Sequence, residues 1–65
     1  MKVKYFEDTD TLYITLSNDA PAETKELNEN LFLELDAKGR VVALTVEHAK
    51  QLQGKLDFSY ESIAA

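Results

Sequence analysis

Between Leu31 and Val46 the chain reads Leu-Phe-Leu-Glu-Leu-Asp, then Ala-Lys-Gly-Arg, then Val-Val-Ala-Leu-Thr-Val. Leucines at 31, 33 and 35 recur with period two, the pattern of a strand with one face turned to a core. Lys38-Gly39 is a turn signal, because glycine accepts the positive φ of a tight hairpin. With those two residues at the tip, Asp36 faces Val41, Leu35 faces Val42, Leu33 faces Leu44 and Leu31 faces Val46. A slip of one residue would set Leu33 against Ala43 and Leu31 against Thr45, so the apolar pattern selects one register.

The same alternation recurs nearer the N-terminus. Lys2-Val3-Lys4-Tyr5-Phe6 reads as a strand, Glu7-Asp8-Thr9-Asp10 as a polar turn, and Thr11-Leu12-Tyr13-Ile14-Thr15-Leu16 as a second strand rich in β formers. With Asp8-Thr9 at the tip, Tyr5 faces Leu12, Val3 faces Ile14 and Met1 faces Leu16. The other side then carries Phe6 with Thr11, Lys4 with Tyr13 and Lys2 with Thr15. Ser17 to Pro21 is a loop by composition. Ala22 to Leu27 reads as a charged strand of the kind that blunts a sheet edge. Strands are therefore expected near 2–6, 11–16, 22–27, 30–36 and 40–46.

After Val46 the period changes. Glu47 to Gln53 is rich in helix formers, Gly54 is placed as a C-terminal stop, and Glu47 suits the helix N-terminus by its charge. Leu56 to Ile63 reads as an irregular or short helical end. The expected architecture is a single α+β domain over residues 1–65, a small antiparallel β-meander sheet with one C-terminal helix packed on one face. Leu52, Leu56, Phe58 and Ile63 would supply the cover over the leucines.

Size makes that cover matter. A chain of 65 residues buries only about 60% of its unfolded surface, near the lower limit for folding alone. It has no cysteine, hence no disulfide to compensate, and self-association becomes physically attractive. The absence of cysteine fits a reducing cytoplasm. No stretch approaches the roughly 20 apolar residues of a membrane span, and the N-terminus lacks the apolar run of a signal peptide. Twelve acids against seven bases give a net charge of −5. That balance disfavours nucleic acid, whose binding rests on phosphate neutralisation, and suits a basic partner.

Lys2-Val3-Lys4-Tyr5, Asp10-Thr11-Leu12-Tyr13-Ile14-Thr15-Leu16 and Asp36-Ala37-Lys38-Gly39-Arg40-Val41-Val42 together resemble the domain of unknown function 2283 family of short bacterial and archaeal proteins. The resemblance covers about residues 1–50 in order. Its most specific element is the Leu-Tyr-Ile strand preceded by aspartate. The family often has glycine at the place of Ala43, an acid at Thr45, and Asp or Asn followed by Ala and Ser at His48, Ala49 and Lys50. The resemblance implies a small β-rich fold and no established activity. Members often occur beside small toxin-like proteins, which implies an antitoxin-like or partner-binding role.

The residues offer little catalytic chemistry. Glu7, Asp8 and Asp10 crowd one turn, but the spacing is not that of a calcium loop and a solvated tip is the better reading. Asp10 is expected to bond to backbone groups of its own turn. His48 is the sole histidine and has only Glu47 beside it, so no metal site is expected. Ser17, Ser59 and Ser62 have no nucleophile elbow and no base nearby in sequence. No catalytic residue and no cofactor is expected, and the chain reads as a non-enzyme.

The most informative feature is the second face of the sheet. The two registers place Phe6, Tyr13 and Phe32 there, among Lys2, Lys4, Thr11, Thr15, Glu34 and Thr45. Aromatics with a polar rim are typical of contact surfaces; cross-strand stacking within any small sheet is the plainer explanation. The expected working surface is Tyr13, Phe32 and Phe6 with Lys4 and Glu34 as rim. The expected function is an interaction module, a homodimer or a subunit that binds a small basic partner. The alternative is a subunit whose ligand-binding or catalytic site forms only between chains.

Overall fold

The structure, a computed structural model, describes residues 1–64; Ala65, the last residue of the expected domain, lies outside them. Five strands and one short helix follow in the order β1 (Lys2–Phe6), β2 (Thr11–Thr15), β3 (Glu23–Asn28), β4 (Leu31–Leu35), β5 (Val41–Glu47) and α1 (Ala49–Gln53). All strand pairs are antiparallel, and the spatial order is β1-β2-β5-β4-β3. The fold is α+β, as expected. β3, β4 and β5 form a meander, and β5 then pairs with β2, so the long connection from β2 to β3 puts the N-terminal hairpin beside the last strand.

The expected pairing of β1 with β2 is observed residue for residue from Lys2↔Thr15 to Phe6↔Thr11. In the second hairpin Leu33↔Leu44 and Leu31↔Val46 also stand as expected. Nearer the turn the register differs: Leu35 meets Val41, not Val42. The cause is the loop. The Asp36 N–H donates to the Arg40 carbonyl and the Gly39 N–H to the Asp36 carbonyl, which makes a three-residue loop of Ala37, Lys38 and Gly39. Gly39 takes φ +81°, the left-handed position that such a loop requires. The one-residue offset is taken back by a bulge in β5 opposite Glu34 and Leu35, so the leucines realign.

The β2–β5 register, Ile14↔Leu44 and Leu12↔Val46, completes two apolar rows across four strands. One is Val3-Ile14-Leu44-Leu33, the other Tyr5-Leu12-Val46-Leu31. This is the leucine face. Its residues are only half-buried or exposed. The fully buried apolar residues are small or short: Val42 at 2% exposure, Ala43 at 1% and Ala49 at 1%.

The expected cover is therefore partial, and this corrects the sequence reading. Leu56 is half-buried, but Leu52, Phe58 and Ile63 are 56%, 50% and 79% exposed. The helix is too short to roof the sheet. Glu47 still belongs to β5, and His48, at φ +55°, turns the chain out of the strand. The helix then stops at Gly54, φ +81°. Beyond it the described residues, 55–64, have no regular structure and run past Met1, Val3, Leu12 and Ile14, leaving an open groove of about 630 Å³. The molecule is correspondingly thin, 35 × 32 × 18 Å.

Candidate functional site

Residues directly opposite one another across an antiparallel ladder share a face, so the registers define the second face as three rows. They are Lys4-Tyr13-Thr45-Phe32-Glu26, Lys2-Thr15-Ala43-Glu34-Thr24, and Phe6-Thr11-Glu47. All five expected contact residues, Tyr13, Phe32, Phe6, Lys4 and Glu34, lie on this aromatic face. Tyr13 and Phe32 sit in one row with Thr45 between them, about 10 Å apart at the usual strand spacing. Lys4 stands directly beside Tyr13. Phe6 lies one row further on and is half exposed, over the β1–β2 turn.

One side-chain contact organises this face. The Tyr13 hydroxyl on β2 donates to Glu34 Oε2 on β4 at 2.8 Å, crossing the whole width of β5. The residue of β5 between Thr15 and Glu34 is Ala43, and its small side chain leaves the path clear while the neighbours shut it from water. Tyr13, Phe32 and Glu34 are half-buried and Lys4 is exposed. The hydrogen bond to Glu34 pushes the Tyr13 phenol above its ordinary value, with desolvation in second place. Charge on the face is segregated by strand: Lys2 and Lys4 on the β1 edge, and Glu47, Glu34 and Glu26 on β5, β4 and β3.

The other titrating groups hold the scaffold. Asp10 stands at φ +55°, a conformation that aspartate tolerates better than most residues. Its Oδ1 accepts from the Tyr5 hydroxyl at 2.6 Å and from the Lys50 N–H at 2.8 Å, and its Oδ2 from the Gln51 N–H at 3.0 Å. Its carbonyl accepts from the Ala49 N–H. Asp10 thus satisfies the N-terminal donors of α1 from the opposite end of the chain, in place of the expected bonds within its own turn. It also takes the role expected of Glu47, because His48, the N-cap residue, makes no capping bond with its side chain. The Tyr5 bond and then the Gln51 amide hold the Asp10 carboxyl below its ordinary value, and the same bond pushes Tyr5 from 10.0 up to about 12.

Asp36 does the equivalent for the second hairpin. Its Oδ1 accepts from the Lys38 and Arg40 amides, both at 2.9 Å, and its Oδ2 from Arg40 Nε at 2.8 Å. These bonds, with the Arg40 amide foremost, hold the Asp36 carboxyl below its ordinary value. His48 Nδ1 lies 2.9 Å from Asn30 Oδ1, a polar pairing of side chains. Among the described residues no group of three His, Asp or Glu side chains is placed to hold a metal ion.

Sequence reasoning did not find the roles of Asp10 and Tyr5. The available signal was the aspartate immediately before the Leu-Tyr-Ile strand. That aspartate lies within a family match: the model of the family described as Protein of unknown function (DUF2283) matches residues 2–50. The chain belongs to the DUF2283 family. The match takes in all five strands and the start of α1, and with them Tyr5, Asp10, Tyr13, Glu34 and Asp36. Among curated proteins and among solved structures, none matches this chain. No helix among the described residues is long and apolar enough to cross a membrane.

Proposed function

We propose that this DUF2283 protein is a non-enzymatic interaction module that docks a protein partner on its aromatic face. The observation that carries this reading is the Tyr13–Glu34 hydrogen bond across β5. It holds an aromatic ring rigid in the same row as Phe32, so the surface loses little side-chain freedom on binding, which favours affinity. The rim supplies Lys4 and Lys2 at one end and three glutamates at the other. The glutamate end suits a small basic partner, and an antitoxin-like subunit is one form such a module takes. A chain without cysteine fits work in the cytoplasm.

The titrating groups support a binding role over catalysis. A general acid or base works best with a pKa near the working pH. Here Tyr5 and Tyr13 are pushed further up and Asp10 and Asp36 further down, each away from neutrality. A second reading, a ligand site completed between chains, draws on the 630 Å³ groove beside Met1, Val3 and Leu12.

The test is a Tyr13→Ser/Phe32→Ser variant. The wild-type chain, used as bait in its native cell, supplies the partner, and calorimetry with that partner compares the two forms. Buried aromatics at a contact commonly carry about 2 kcal/mol or more each, so the variant should bind at least a hundredfold more weakly with an unchanged far-UV spectrum. A folded variant of unchanged affinity contradicts the reading.

A further inference from the structure

The interaction-module reading concerns one face of the sheet; the opposite face poses a separate problem. Leu31, Leu33, Leu35, Leu44 and Val46 are only half-buried, and no large side chain is fully buried anywhere among the described residues. Around them on the same side, Val3 continues an apolar row into β1 and Met1 lines the groove beside it. Leu52 stands beside Leu31 and Val46, and Phe58 and Tyr60 stand across the groove from Met1 and Val3. Leu52, Met1 and Tyr60 are 56%, 69% and 78% exposed. Monomeric proteins seldom leave so continuous an apolar surface in water.

We propose that the leucine face is closed by a second copy of the same chain, sheet against sheet about a two-fold axis. The charge on that face selects this occupant. The groove on the leucine face is lined by one acid and one base, Asp57 and Lys55, and by register the strands add one of each, Glu23 opposite Leu35 and Lys25 opposite Leu33. Glu23 and Lys25 both lie on the exposed edge strand β3. A basic partner would need an acidic surface, and this one sets bases among its acids, with only Glu29 at the β3–β4 turn in excess among the lining residues, although the chain carries −5. An acid and a base on one strand face are self-complementary about a two-fold axis, since residue i of one copy meets residue j of the other and the reverse. Glu23 of each copy then faces Lys25 of its partner, and the leucines between them lose their water.

The dimensions suit the arrangement. The broad side of the molecule measures 35 by 32 Å, which, with the strip along β1 and β2 beside the C-terminal segment set aside, is on the order of the roughly 800 Å² that each partner gives to a standard interface. Open twisted antiparallel sheets stack with their strands about 30° apart and a core about 10 Å thick. The aromatic faces would then point outward from both sides of the dimer, free for the partner proposed above.

Sedimentation equilibrium of the purified full chain tests this without that partner. Wild type should sediment at twice 7.3 kDa at micromolar concentrations. Lys25→Glu places glutamate against glutamate at both symmetry-related contacts and should weaken the dimer about tenfold. The swap Glu23→Lys/Lys25→Glu should restore it, because the pair is reversed and not lost. Both positions are exposed on an edge strand, so the variants should fold, and far-UV circular dichroism checks that they do. A folded monomer at all concentrations overturns the proposal. So does a dimer indifferent to Lys25→Glu, or one that dissociates in the Tyr13→Ser/Phe32→Ser variant, since self-association would then use the other face. The aromatic-face reading stands or falls separately, on the calorimetry.

Discussion

Replacing Gly39 isolates a single physical term. The residue sits at φ +81° in the three-residue loop, and a Cβ added there meets nothing within 4 Å. A substitution therefore brings backbone strain without a clash. An L-residue held in the left-handed region costs about 1–2 kcal/mol, and a β-branched residue falls at the upper end. A 65-residue domain has roughly 3–10 kcal/mol of total stability, so Gly39→Val removes a substantial fraction of it. With a urea dependence of about 1 kcal/mol per molar for so small a chain, the midpoint should fall by about 1–2 M. Lys38→Ala is the control: its amide keeps the bond to Asp36 Oδ1, and a surface change of this kind stays within about 0.5 kcal/mol. Gly39→Asn should lie between the two, since asparagine tolerates positive φ. The assay is urea unfolding followed by far-UV circular dichroism at one fixed protein concentration, because dimerisation makes stability concentration-dependent. Equal midpoints for Gly39→Val and Lys38→Ala would refute the loop geometry.

Leu33→Ala should cost about 1–3 kcal/mol in the same titration, less than the roughly 2–5 kcal/mol typical of a fully buried leucine, because Leu33 is only half-buried; no measurable loss would mean that the leucine face is not a core. Stability should be bounded on both sides in pH. The lowered carboxyls of Asp10 and Asp36 contribute stability that is present above the ordinary carboxylate range and lost as pH falls through their folded values. The raised Tyr5 phenol contributes stability that is present below pH 10 and lost as pH rises toward about 12. Asp10→Asn should reduce both limbs, with Asp36 sustaining the remainder of the acid limb and the raised Tyr13 phenol that of the alkaline one; pH-dependent urea midpoints read both, and an unchanged alkaline limb would show that the Tyr5–Asp10 bond is not formed.

Both hairpins were legible in the sequence because period-two alternation fixes a register wherever one face is apolar. The N-terminal pairing and the Leu33–Leu44 contact needed nothing more. The turn at Lys38-Gly39 was legible as a turn but not in length: a two-residue loop and a three-residue loop followed by a bulge leave the same leucines aligned. The β2–β5 pairing was not legible, since it joins segments far apart in the chain and either edge of the N-terminal hairpin offers a similar ladder. The cover was misjudged because Leu52, Phe58 and Ile63 announce apolarity but not position; a chain that ends its helix at Gly54 cannot bring them all onto the sheet. The aromatic face followed from parity alone, whereas the Tyr13–Glu34 bond depended on the small Ala43 lying between them, which appears only when β5 takes its place in the centre. Asp10 was the clearest omission. Its partners, Lys50 and Gln51, follow all five strands, and no local pattern announces a cap that arrives from another element.

The most direct test of the interaction-module reading is where a bound partner perturbs the chain. Isotope-labelled protein, titrated with the partner captured from its native cell, gives a residue-by-residue map from amide and side-chain resonances. Changes are expected to centre on Tyr13, Phe32 and Thr45 and to extend to Lys4 and Glu34, with Leu33 and Leu44 unmoved. Perturbations confined to the leucine face or to β3, with the Tyr13 and Phe32 signals unchanged at saturation, would contradict the reading.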